Sequence, residues 1–200
     1  MGQVYPHIDD SIRDFLLAQP MFFVATAPAD PSGHLNLSPK GMSGSFAVLG
    51  PLRCAYLEYG GSGNETVSHL RDDRETDRTS GGSGKPSPAG GGRITLMFCA
   101  FSGPPKIYRL HGHGRVLLPQ DPGFEQMLEN FPEPAPGLRN INVVEVTRVS
   151  DSCGFAVPLM EYQGDRDLLS RYWDRRSPEE QAEYRARKNA TSIDGVPLRW

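Results

Sequence analysis

The chain is built from short apolar runs cut by turn formers, and this punctuation limits its folds more than any other feature. "MFFVATA", "HLNLS", "SFAVL", "RCAYLEY", "RITLMFCAF", "KIYRLHGHGRVLL" and "INVVEVTRV" are rich in β-branched and aromatic residues, and several alternate with period two. Turn formers join them in pairs. "PADPSG" closes one hairpin with a loop of about five residues, Gly50-Pro51 a second, and "SGPP" a third. Strand and helix do not alternate regularly, so a parallel sheet is not expected. The pattern predicts a mainly β fold with peripheral helices, a barrel of about six to seven antiparallel strands.

The helical pieces are short. In "DDSIRDFLLAQP", Ile12, Phe15 and Leu16 recur at helical spacing, Asp9 or Asp10 is a natural N-cap, and Pro20 stops the run. A short helix is predicted from near Asn64, and another over 121–131. The C-terminal segment at 165–190 reads as helical, with Pro178 at a first helical position and a capping box from Ser177 to Glu180. Residues 72–92, "DDRETDRTSGGSGKPSPAGGG", hold no large apolar residue. They read as a disordered, low-complexity loop insertion within one domain spanning 1–200.

Composition excludes several function classes. With 21 basic and 24 acidic residues the formal charge is −3, which makes no case for nucleic acid. No apolar run reaches the roughly 18 residues of a membrane helix. The start, "MGQVYPHIDD", lacks the charged-then-apolar pattern of a leader. Cys54, Cys99 and Cys153 are far apart and form no C-x-x-C. A reduced, cytoplasmic chain is the expectation.

Two stretches could carry chemistry. "GGSGNET" offers backbone N–H groups at Gly60, Gly61 and Gly63, side chains at Ser62, Asn64 and Thr66, and a helix start. Such a turn suits an anion, and Lys40, ending the run "LNLSPK", could supply the compact positive charge a phosphate wants. A plain turn with Asn64 as N-cap explains the same residues. His111 and His113 in "HGHGR" fall on one strand face about 7 Å apart. Without a third ligand nearby they read as solvent-facing histidines rather than a metal pair, and no metal site is expected. Cys153 has no assignable base, and neither a hydrolase elbow nor a dinucleotide fingerprint occurs.

In order along the chain, "FFVATAPADPSGHLNLSPKG", "AYLEYGGSGNETVSHLRD", "RITLMFCAFSGPPKIYRLHGHGRV", "SCGFAVPLMEY" and "NATSIDGVP" resemble the pyridoxamine 5′-phosphate oxidase-like family, in its FMN-binding split-barrel branch. The resemblance covers roughly residues 15–197, and the 72–92 insertion departs from it. It implies a split-barrel homodimer with FMN in a cleft between subunits. By position, Asn36, Leu37, Ser38 and Lys40 would contact the flavin ring, and Ser62, Asn64 and Thr66 the phosphate. Glu65 and Thr66 stand where the vitamin enzymes carry an Arg-Lys pair, which leaves Lys40 as the main cation, with Arg109 a weaker candidate. The C-terminal Arg and His that grip pyridoxine phosphate have no counterpart in "NATSIDGVPLRW", so oxidation of pyridoxamine phosphate itself is not expected. The implied activity is hydride transfer between a small substrate or a nicotinamide nucleotide and the flavin. Two alternatives stay open: a flavin carrier or sensor without turnover, and a barrel that binds haem or no ligand.

Overall fold

The computed structural model describes residues 2–71, 91–198 and 200. Its frame is a single antiparallel sheet. The strands are β1 (Val4–Tyr5), β2 (Phe22–Thr26), β3 (Asn36–Lys40), β4 (Phe46–Gly50), β5 (Arg53–Tyr59), β6 (Gly92–Cys99), β7 (Ile107–Leu117) and β8 (Leu138–Ser152). The eight-stranded sheet runs β3-β2-β6-β7-β8-β5-β4, with β1 paired to β8. β8 is the longest strand and pairs with β7, β5 and β1 along its length. The path ends at β3 and β4, and the sheet curls into a barrel left open between these edges. This is the split barrel with peripheral helices that the sequence predicts.

Several details differ from the sequence reading. Among the described residues the strand count is eight rather than six to seven, because Val4–Tyr5 adds a short strand beside Val149 and Ser150. The tie that fixes it is long-range: Tyr5 Oη donates to Asp151 Oδ2 at 2.8 Å, and no local pattern announces it. β3 starts at Asn36 rather than His34 and runs through Pro39. An interior strand could not hold that proline, but β3 is an edge, where a missing N–H costs no ladder bond. The β2–β3 connection occupies residues 27–35, longer than the expected loop. The insertion expected at 72–92 lies mostly outside the described residues, and strand β6 already begins at Gly92.

Among the described residues five helices decorate the sheet: α1 (Asp10–Ala18), α2 (Glu65–Leu70), α3 (Phe124–Leu128), α4 (Leu168–Asp174) and α5 (Pro178–Lys188). Asp9 caps α1, accepting from the Ile12 amide at 2.9 Å. Helix α3 is shorter than 121–131 because Gly123, with φ of 86°, breaks the run just before Phe124. The predicted capping box of α5 is present in both directions between Ser177 and Glu180.

Inside the barrel, Ile12 and Leu16 of α1 and Leu70 of α2 pack onto Phe22, Val24, Tyr56, Leu96, Phe98 and Leu110. A second cluster, with Ala55, Leu57, Ile141 and Val143, packs under Phe124 and Phe131 on the outer side of β5 and β8. Successive residues of β5 thus feed opposite cores, so the strand is buried on both faces.

Candidate functional site

Strand β5 carries one acid in an otherwise apolar or aromatic buried stretch. Alternation places Glu58 on the same face as Cys54 and Tyr56, inside the barrel, with 5% of its surface exposed. A carboxylate there must be paired or protonated. Lys40 Nζ, from the end of β3, lies 2.6 Å from Glu58 Oε1, and Arg139 Nη2, from β8, 3.3 Å from the same oxygen. The other oxygen, Oε2, accepts from Asn142 Nδ2 at 2.7 Å, and Asn142 Oδ1 accepts in turn from Asn140 Nδ2 at 3.2 Å. Burial alone would raise the Glu58 carboxyl; the charges of Lys40 and Arg139, with the hydrogen bonds, outweigh it and hold the group below its ordinary range.

Arg139 connects this cluster to the glycine turn after β5. Its Nη1 lies 3.4 Å from both Gly61 O and Asn189 Oδ1. Asn189 Nδ2 donates to Gly61 O at 3.0 Å and Ser62 O at 3.3 Å. The turn is also clamped by Trp173 of α4, whose Nε1 donates to Gly60 O at 2.8 Å. The indole lies so close that a Cβ at Gly60 would come within 2.5 Å of it. Gly61 and Gly63, by contrast, have open space where a side chain would stand, so a ligand can approach their backbone.

These parts surround a cavity of about 680 Å³, lined by Lys40, Glu58, Gly60, Gly61, Gly63 and Arg139 among others. That size is within the range of small-molecule sites. Its outer wall is the segment after β8, through Tyr162, Asp165 and Arg166. The Asp165 carboxylate ties this segment down by accepting from the Ser43 amide at 2.8 Å.

The residues expected from sequence split into groups. Asn36, Ser38 and Lys40 occupy the more buried face of β3, whereas Leu37 points outward with 69% exposure. Asn36 and Thr66 come together, since Asn36 Nδ2 donates at 3.1 Å to Thr66 Oγ1 and to Thr26 Oγ1. Thr26 also contacts buried His69 at 2.8 Å. The Ser38 hydroxyl, buried between Asn36 and Lys40, has no hydrogen-bond partner among the described residues. Asn64 is the N-cap of α2, but its side chain makes no cap bond and instead donates to Thr191 O at 2.9 Å. Ser62 contributes its carbonyl, to Asn189. Of the expected side chains, Lys40 is the one on the cavity wall. Its ammonium faces Glu58, a partner that the sequence reading of Lys40 as the main cation did not include.

Glu58, Arg139 and Asn142 were missed by sequence reasoning. The signals were a single acid within "RCAYLEY" and two asparagines at alternate positions in "LRNINVVEV". Glu58 stands opposite Asn140, and Tyr56 opposite Asn142, so the three polar groups share one face. The histidine pair lies elsewhere. His111 contacts Thr95 at 3.1 Å, and burial with the charges of Arg148 and Arg109 lowers its pKa. Arg109 binds the Ser152 hydroxyl at 2.9 Å and does not line the cavity. Among the described residues no cluster of His, Cys, Asp or Glu could hold a metal ion. Cys153 is exposed, whereas Cys54 and Cys99 are buried. No helix of the described residues is long and apolar enough to cross a membrane.

No protein-family model matches the sequence. Among solved structures, Group A Streptococcus HupZ superposes with a TM-score of 0.50 over 77% of this chain and 99% of that one, at 16% identity, a likeness of fold. In sequence, the pyridoxamine 5′-phosphate oxidase family protein ustO of Aspergillus flavus is 34% identical over 210 residues, covering 96% of this chain and 76% of the relative. At that identity and coverage, and with this split barrel, the chain belongs to the pyridoxamine 5′-phosphate oxidase family.

Proposed function

We propose that this protein binds a flavin, as FMN, in the cavity between Lys40, Arg139 and the glycine turn, and serves as a flavin-dependent oxidoreductase. The observation that carries the reading is the charge balance of that cavity. Lys40, Arg139 and Arg166 outnumber Glu58 and Asp165 on its wall, in a chain whose net charge is negative. A phosphate-bearing ligand fits such a surplus. The residues present fit the group in one further way: Gly61 and Gly63 leave room for a ligand to approach their backbone.

A bound flavin supplies a carrier that takes up and returns a hydride; the protein supplies binding, orientation and electrostatics. Glu58 holds Lys40 and Arg139 in place within a partly buried wall. Lys40 Nζ presents positive charge where negative charge develops on a ligand. Asp165 holds the outer segment over the cavity through the Ser43 amide, limiting entry of water. The electron donor in this reading is a nicotinamide nucleotide, and the acceptor a small organic compound or oxygen.

A homodimer belongs to the same reading. Leu35, Leu37, Phe155 and Leu159 are each more than two-thirds exposed, which suits a surface covered by a second copy. A carrier or sensor without turnover is the second reading. It is favoured by the engagement of both carboxylates on the cavity wall, Glu58 by two cations and Asp165 by an amide. Mass spectrometry of ligand released from native protein tests the first claim: FMN is expected, and any other mass overturns it. Stopped-flow mixing with NADH or NADPH then separates the readings, since bleaching of the flavin band is expected of an oxidoreductase and its persistence identifies a carrier.

A further inference from the structure

Arg139 has a second side. Behind it lies another cavity of about 750 Å³, between α5 and the C-terminal residues, lined by Leu118, Gln181, Arg185, Leu198 and Trp200 among others. It contains two arginines, Arg139 and Arg185, and no Asp or Glu among its described lining residues. Arg139 spends Nη1 and Nη2 on Gly61, Asn189 and Glu58, but its Nε is buried without a partner among the described residues. The Arg185 guanidinium has no ion pair or hydrogen bond there either, although the residue is only partly exposed. Burial, and then the charge of Arg139, lower the Arg185 pKa.

Glu58 already pairs with Arg139, which leaves the half-buried Arg185 guanidinium as the charge without a carboxylate among the described residues, an arrangement that an anion would relieve. Trp200 adds a flat apolar wall. Its ring lies 5.0 Å from the Arg139 guanidinium, and its Nε1 is fixed by donating to Asn189 O at 2.8 Å. Leu118, Leu138 and Leu198 complete an apolar lining. From this we infer that the cavity is a second binding site, for a small organic oxyanion with a planar or apolar body. Arg185 receives the carboxylate or phosphate and Trp200 stacks on the body. The site is separate from the glycine turn and does not depend on flavin in the first cavity.

Two probes test it on the purified full chain: benzoate for a carboxylate and phenyl phosphate for a phosphate, titrated by calorimetry and by Trp200 fluorescence. Saturable binding of at least one is expected, and the tighter probe names the source of the oxyanion. Arg185→Gln removes the charge at a half-exposed, unpaired position and should weaken binding at least about tenfold. Gln181→Glu, which sets a carboxylate on the same wall, should abolish it through a different residue, so the outcome does not hang on one variant folding. Flavin content should stay unchanged in both. No saturable binding of either probe up to about 10 mM, in the weak range beyond which no specific site is implied, overturns the inference. So does equal affinity in wild type and both variants.

Discussion

The ladder between β5 and β8 changes character from one end to the other. Cys54 faces Val144, Tyr56 faces Asn142, and Glu58 faces Asn140. At the first end the barrel is filled by aromatic rings. Phe22 stacks on Phe98 at 5.0 Å between centroids, and Phe46 lies 4.9 Å from Phe98. Burial of such rings is favourable by area alone, without a required partner. At the second end the same face carries a carboxylate, and Lys40, Arg139 and Asn142 all contact it. A buried ion cluster is poor at stabilising a fold, because desolvation offsets much of the attraction. A cluster of this kind beside a cavity and an open glycine turn is what the proposed ligand site rests on. In that reading the aromatic end supplies stability and the charged end recognition.

Substitutions can break or sharpen this contrast. The largest effect belongs to the aromatic end. Phe98→Ala should cost about 3–5 kcal/mol in urea unfolding, the range for a large core ring. The FMN affinity of the molecules that remain folded should not change, and a large loss of affinity would erase the distinction between the ends. Next is Glu58→Gln, which leaves two cations facing an amide and should cost about 3 kcal/mol at neutral pH. Here pH gives a sign. The folded Glu58 carboxyl lies below its ordinary 4.5, so its contribution is present above that value and is lost as pH falls through the folded one. The stability gap between wild type and Glu58→Gln should therefore narrow in acid below about pH 4.5, and a gap that holds constant down to pH 3 would show the ion pairs to be energetically idle. Smallest is Ser177→Ala, which removes the α5 cap and belongs to neither end. It should cost about 1 kcal/mol by thermal melting and leave flavin binding untouched.

Much of this architecture was open to reading from local pattern. Period-two runs located the strands from β2 to β8, and Ser177, Pro178 and Glu180 located the start of α5, because strands and caps are set by neighbours in sequence. The glycine turn was legible too, since Gly60, Gly61 and Gly63 sit where backbone freedom has to be. What sequence could not show were the partners. Glu58 drew no reading until β8 brought Asn140 and Asn142 onto its face, and Arg139 was only an arginine before a strand. Lys40 was singled out, but the ion pair that occupies it joins β3 to β5 across the open seam of the barrel. Such pairings are decided by the register of distant strands, which no local window contains. Asn64 and Thr66 were read as ligand donors, and the structure engages them with Thr191 and Asn36. The C-terminal residues that claim Asn64 lie more than a hundred positions away.

The central claim is that the charged end of the barrel seats a flavin phosphate, and fluorescence titration of FMN into flavin-free wild type and Lys40→Gln measures it directly. Loss of the ammonium should raise Kd at least tenfold, about 1.4 kcal/mol, with Glu58 still held by Arg139 and the fold intact. Identical binding curves for the two proteins would place the flavin elsewhere and contradict the assignment of this site.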